Sequence, residues 1–237
     1  MPEITAHEGV LQYTHLGARW LSTGWRGGYC VSSTAYNVSV PEQWEDVDLD
    51  AYATARRDQA GYDASGPTLF TGVDLEHARG ARCHPVEAVV TAGISNPAAL
   101  PMEPTPKATP RTDAKRKTGT VNIILSTTEA LTDGALATLL ACAVEAKTAT
   151  LLAETGFPGT TTDAVVVGCN QLNSGEKRPF AGSATEIGAA ARACVRESIR
   201  ASLTSRYEET PLPTSVADAQ YGVTTTQRAD VFEILEC

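Results

Sequence analysis

Lysine is nearly missing from this chain: five lysines stand against fourteen arginines, and the formal net charge is −9. That deficit of positive charge argues against a general nucleic-acid binder, whose affinity comes from clustered Lys and Arg. The only basic cluster, Lys115-Arg116-Lys117, is short and lies in a loop-like segment. Aromatics are few, at 6%. The six cysteines contain no C-x-x-C pair, which argues against a zinc site or a disulfide framework and reads as scattered reduced thiols. No basic patch followed by an apolar stretch opens the chain, so no signal peptide is visible and a cytoplasmic protein is expected. No uninterrupted apolar run reaches the ~18 residues of a membrane span. Scarce lysine beside plentiful acid, alanine and threonine hints at a salt-adapted, archaeal-like source. The familiar catalytic signatures are absent too: no G-x-S-x-G, no P-loop, no H-E-x-x-H, and no G-x-G-x-x-G after a strand.

What is present is led by a nineteen-residue run, 134–152, reading GALATLLACAVEAKTATLL. It is apolar or small nearly throughout, yet carries Glu145 and Lys147. At about 100° per residue the two side chains point roughly 200° apart, so one solvated stripe cannot hold both. A helix apolar all round is expected in the interior, where ionisable groups need partners or a task. Glu145 and Lys147 are therefore candidate site residues on a buried central helix. The ordinary alternative is a helix end emerging near Lys147, or a structural ion pair.

Around this helix the chain alternates strands and helices. Residues 19–23 and 29–40 read as strands joined by the Gly-rich turn Gly24-Trp25-Arg26-Gly27-Gly28. A short helix is expected near 49–59 and short strands at 68–73 and 86–93. Residues 98–118 carry four prolines and a Lys/Arg run, which predicts an exposed loop inserted into the fold. Strands follow at 119–125 and 163–168, and the helix from 134 is capped by Thr132 or Asp133. A second long helix, 185–206, reads as a covering helix with Arg192, Arg196 and Arg200 on its flank. Residues 207–237 read as a C-terminal extension with one edge strand at 231–235. The class expected is α/β or α+β: one domain spanning 1–237, a mixed sheet, a buried central helix and a second long covering helix.

Polar residues gather at element ends. Gly159-Thr160-Thr161-Thr162-Asp163 immediately precedes a buried strand; its hydroxyls and carboxylate either cap backbone donors or hold an acyl substrate and activate an attacking group. Asn122 shares a strand face with Thr120 and Ile124, and a buried amide there must be hydrogen-bonded to protein or ligand. Asn37 and Asn96 sit at turn or strand-end positions, where asparagine is common. His84 precedes a strand and reads as a surface or capping residue, and Cys83-His84 alone does not complete a metal set.

The series LSTGWRGG…N (21–37), TAGISNP (91–97), GTVNIIL (119–125), VEAKTATLL (144–152), GTTTDAVVV (159–167) and AGSATEIG (181–188) resembles the adenosylcobinamide amidohydrolase family in order and spacing. The resemblance implies an enzyme that cleaves the amide between aminopropanol and the corrin ring, giving adenosylcobyric acid and 1-amino-2-propanol in corrinoid salvage. It implies a small-molecule corrinoid as partner and no required cofactor; the residues themselves lead us to expect no metal and no membrane, and leave a homo-oligomer open. Under it Glu145 or Asp163 serves as base and Lys147 as oxyanion donor or acid, while Asn122 adds donors. Asn37, Asn96, Thr120, Gly159, Thr160, Thr162 and the Gly27-Gly28 turn bind substrate. Water is favoured over Thr160 or Thr162 as nucleophile, because a threonine needs a neighbouring base that the sequence does not reveal. Non-catalytic corrinoid binding, or hydrolysis of another amide, are the alternatives.

Overall fold

The computed structural model describes residues 2–41, 48–104, 119–172, 175–219 and 221–234. Its strands are β1 Glu3–His7, β2 Val10–Ser22, β3 Gly28–Ser39, β4 Thr68–Thr71, β5 Arg79–Cys83, β6 Val86–Ala92, β7 Ala98–Ala99, β8 Val121–Thr127, β9 Ala164–Asn170 and β10 Val223–Thr224. The helices are α1 Leu49–Gln59, α2 Asp133–Thr155 and α3 Glu186–Arg206. The main sheet has the order β4-β3-β2-β9-β8-β6-β5, with β1 added to β2. The β3–β4 and β8–β9 pairs are parallel and the other pairs of this sheet antiparallel, so the sheet is mixed and the class α/β.

The apolar runs of β6, β8 and β9 are buried on both faces, as expected of strands covered on two sides. On one face Ile123, Leu125, Val165 and Val167 pack against Leu136, Leu139 and Ala143 of α2 and Ala191, Val195 and Ile199 of α3. On the other, the long β2–β3 hairpin bends across the sheet and encloses a second core of Tyr13, Trp20, Leu69, Val89, Ile124 and Val166. The bend falls where the β2–β3 register shifts between Thr14 and Ala18, with Gly17 at φ +64°. Bending brings Asn37 of β3 against β8 and β6, although β3 is not their neighbour in the sheet.

Helix α2 departs from the expected interior helix. Leu136, Leu139, Ala143, Ala146 and Leu151 are buried, whereas Ala137, Thr138, Ala141, Glu145 and Leu152 form a solvated stripe. By length and composition alone it passes for a membrane span, but half of its most apolar window is buried within the protein. Thr132 caps it, accepting from Ala135 N at 3.2 Å, and Gly156 ends it at φ +76°. Two further expectations are corrected. Ala98–Ala99, placed in the loop of 98–118, pairs in parallel with Val223–Thr224; 105–118 lie outside the described residues. The edge strand expected at 231–235 is not formed over 231–234, where Val231, Phe232 and Ile234 are exposed and find no apolar partner face; residue 235 is outside the described residues.

Candidate active site at the strand edge

β8 and β9 run parallel in the middle of the sheet, and Thr120 and Asp163 stand just before their first residues, on the edge that the strand ends form. Helix α2 leaves the far end of β8 and returns along the sheet, which delivers Lys147 to this same edge. Lys147 Nζ donates to Asp163 Oδ2, and each side chain is only 9% exposed. Asp163 Oδ2 also accepts from Thr160 N at 3.1 Å, while Oδ1 accepts from Val121 N at 2.9 Å and from Thr160 Oγ1. With four donors, the carboxylate has its acceptor sites filled. Gly159 lies against the pair: a Cβ there falls 2.7 Å from Asp163 Oδ2 and 2.9 Å from Lys147 Nζ.

A buried polar network adjoins this cluster. Thr120 Oγ1 donates to Thr162 O at 2.8 Å and more weakly to Asn122 Oδ1 at 3.4 Å. Asn122 Nδ2 donates to Asn37 Oδ1 at 2.8 Å and to Phe70 O at 2.9 Å, and Asn37 Nδ2 donates to Thr91 Oγ1 at 2.9 Å. Asn37 and Asn122 thus spend their amides on each other and on the scaffold, locking the bent hairpin to the sheet. Asn96 differs. Its Nδ2 donates to Thr161 Oγ1 at 2.7 Å and Thr162 Oγ1 at 3.3 Å, but its buried Oδ1 has no partner. A buried amide oxygen without a donor is uncommon.

Of the expected site residues, Lys147, Asp163, Thr160 and Gly159 come together, and Asn96, Thr162, Thr120, Asn122 and Asn37 extend from them. Glu145 does not. Its side chain is 63% exposed and pairs with Arg192 of α3 at 3.3 Å, on the solvated stripe of α2. His84 stands exposed in the β5–β6 turn, at the opposite end of β6 from Thr91. A cleft of about 680 Å³ is lined by Arg79, Glu154, Arg200, Tyr207 and Leu212, rather than by the Lys147–Asp163 pair. It adjoins the site edge through Tyr207, whose hydroxyl accepts from Ile94 N at 2.7 Å. Tyr207 lies beyond the quoted motifs, and no spacing in the sequence points to it. Among the described residues no three His, Cys, Asp or Glu side chains gather as a metal site.

At the far end of β8 a second polar group was missed by sequence reasoning. Ser126 Oγ meets His15 Nδ1 at 2.9 Å and the Tyr13 hydroxyl at 2.8 Å, all three buried. Burial lowers the His15 pKa from its ordinary value and raises that of Tyr13.

A cation, a carboxylate and a hydroxyl held together at a strand edge are components of acyl-transfer chemistry. Comparison with known proteins agrees with that class. The family model described as adenosylcobinamide amidohydrolase matches residues 3–211. An adenosylcobinamide amidohydrolase of Halobacterium salinarum is 53% identical over 235 residues, covering 98% of this chain and 99% of that one. One from Methanosarcina mazei is 31% identical over 197 residues, covering 79% and 91%. The solved structure of the PH0078 protein from Pyrococcus horikoshii OT3 is similar with a TM-score of 0.44 and 11% identity, over 85% of this chain and 78% of that one. The chain belongs to the adenosylcobinamide amidohydrolase family, and it is a hydrolase.

Proposed function

We propose that this chain hydrolyses the amide joining aminopropanol to the corrin ring of adenosylcobinamide. The products are adenosylcobyric acid and 1-amino-2-propanol, in a salvage step toward coenzyme B12. The corrinoid is the small-molecule partner, and the chemistry asks for no further cofactor. The observation that carries this reading is the Thr160–Asp163–Lys147 contact: a hydroxyl donating to a carboxylate whose other oxygen holds an ammonium.

This contact supplies the base that a threonine nucleophile requires. Asp163, with its acceptor sites filled, is poorly disposed to activate a free water. Thr160 Oγ1 attacks the amide carbon as its proton passes to Asp163 Oδ1. The oxyanion that forms is stabilised by the Lys147 ammonium, which has protons beyond the one given to Asp163. Collapse breaks the C–N bond, and the proton returns from Asp163 to the departing amine. Water then hydrolyses the Thr160 ester, releasing the acid and restoring the hydroxyl.

The test is incubation with adenosylcobinamide and chromatography for adenosylcobyric acid. Thr160→Val, Lys147→Met and Asp163→Asn each lower kcat by about a hundredfold or more, as loss of one stabilising group does, and Thr160→Ser retains turnover. Acid quenching followed by mass spectrometry captures the acyl-Thr160 species. Full turnover by Thr160→Val returns the nucleophile to water; wild-type rates in all three variants remove the site altogether. Binding of the corrinoid without release of aminopropanol leaves a non-catalytic binding protein.

A further inference from the structure

The turn Gly24–Gly28 holds a large aromatic ring in water, and it does so firmly. Trp25 is 47% exposed, yet its Nε1 donates to Asp50 Oδ1 at 3.1 Å and its backbone bridges to Thr68. Arg26 pairs with the other oxygen of Asp50 at 2.7 Å and adopts φ +49°, a left-handed conformation uncommon outside glycine. Tyr29 is 46% exposed, with Arg19 over its ring and its hydroxyl donating to Asp133 O. Two fixed, half-exposed rings and a strained turn are costly to maintain without a task.

These groups line a cleft of about 350 Å³ whose other wall comes from α1 and residues 65–68. The lining mixes polar Ser32, Asp50, Thr54, Arg57 and Thr68 with apolar Ala53 and Pro67. Each Asp50 oxygen is engaged once, so the carboxylate retains acceptor capacity. The volume and the mixture suit a small planar group with attached hydroxyls. Two hydrogen bonds tie the surroundings of the cleft to the strands that carry the site. Thr23 N donates to Val165 O, two residues after Asp163, and Thr68 stands two residues before Phe70, whose carbonyl accepts from Asn122.

Resting on the corrinoid reading above, we propose that this cleft is the subsite for the 5′-deoxyadenosyl group of the substrate. Trp25 stacks on the adenine and Asp50 accepts from ribose hydroxyls. The Trp25 cleft, remote from the bond that breaks, then sets the preference for an adenosylated corrinoid over a cyano one.

The experiment compares adenosylcobinamide with cyanocobinamide on wild type, Trp25→Ala and Trp25→Phe, with thermal midpoints as a check on folding. Base stacking of this kind is worth roughly tenfold or more in affinity. Trp25→Ala is expected to raise KM for adenosylcobinamide by about that factor at nearly constant kcat, with a clearly smaller effect on cyanocobinamide. Trp25→Phe keeps most of the preference. Free 5′-deoxyadenosine competes with adenosylcobinamide in wild type and loses potency in Trp25→Ala. Equal KM changes for both corrinoids, or no competition by the nucleoside, overturn the proposal. Should wild type hydrolyse neither corrinoid, the reaction assignment fails instead, and calorimetric titration of wild type and Trp25→Ala with 5′-deoxyadenosine still decides the cleft.

Discussion

Gly159 is where one absent carbon matters most. A methyl group placed there meets both members of the buried ion pair below 3.0 Å, so Gly159→Ala pushes Lys147 and Asp163 apart. Overpacking of this sort costs about 1–3 kcal/mol, a fall of roughly 2–12 °C in Tm for a chain of this size. Turnover suffers more than stability, because the oxyanion donor moves with the pair. Loss of at least tenfold in kcat is expected in a sample that melts cooperatively; an unchanged rate would detach Gly159 and its neighbours from catalysis. His15 supplies the pH dependence. Its folded-state pKa lies below the ordinary 6.5 because burial disfavours the imidazolium. The unfolded chain therefore takes up the proton first as pH falls, and stability intact above about 6.5 declines from there toward the folded value. His15→Gln removes this contribution. Urea midpoints at about pH 7.5 and about pH 5.5 should converge in the variant relative to wild type; an identical fall in both clears His15.

At the scale of elements, α2 separates what the sequence discloses from what it conceals. Lys147 and Glu145 both stand out as charges in an apolar helix, but they face opposite ways: one toward the sheet edge, the other toward water and Arg192. The solvated stripe is made of alanine, threonine and leucine, residues that surfaces carry freely, so composition concealed it and the helix read as interior. Glu145→Gln is accordingly expected to keep wild-type turnover and to change stability by no more than about 1 kcal/mol, as exposed pairs do; a large kcat loss would restore it to the site. The strands at β6, β8 and β9 were legible from their β-branched runs, α3 from its periodicity, and the start of α2 from a cap at Thr132 or Asp133. The first half of β2 was not, and neither was the Tyr13–Ser126 contact, which joins residues 113 apart in sequence. Such contacts exist only because the hairpin bends over the sheet, and no local pattern encodes that. Asn122 was picked out as an amide that needs a partner if buried; that Asn37 would be that partner depended on the same bend.

The whole molecule carries a formal net charge of −9, while the Lys147–Asp163 ion pair is kept out of water. The two populations of charge respond to salt differently. Surface repulsion is screened as the Debye length falls from about 10 Å at 0.1 M to about 3 Å at 1 M, which favours the compact state. The exposed pairs, Arg192–Glu145 and Arg200–Glu154 among them, weaken at the same time, but each contributes only about 0–1 kcal/mol and the net charge sets the sign. The Lys147–Asp163 pair is shielded by protein, and breaking it by Asp163→Asn costs about 3–5 kcal/mol at any ionic strength. Wild type and Asp163→Asn should therefore both gain a few degrees of Tm between about 0.1 M and about 1 M NaCl, with the gap between them unchanged. A gap that closes as salt rises would place the pair within reach of solvent ions, and its ammonium would then be a weaker stabiliser of an oxyanion than a dry site provides.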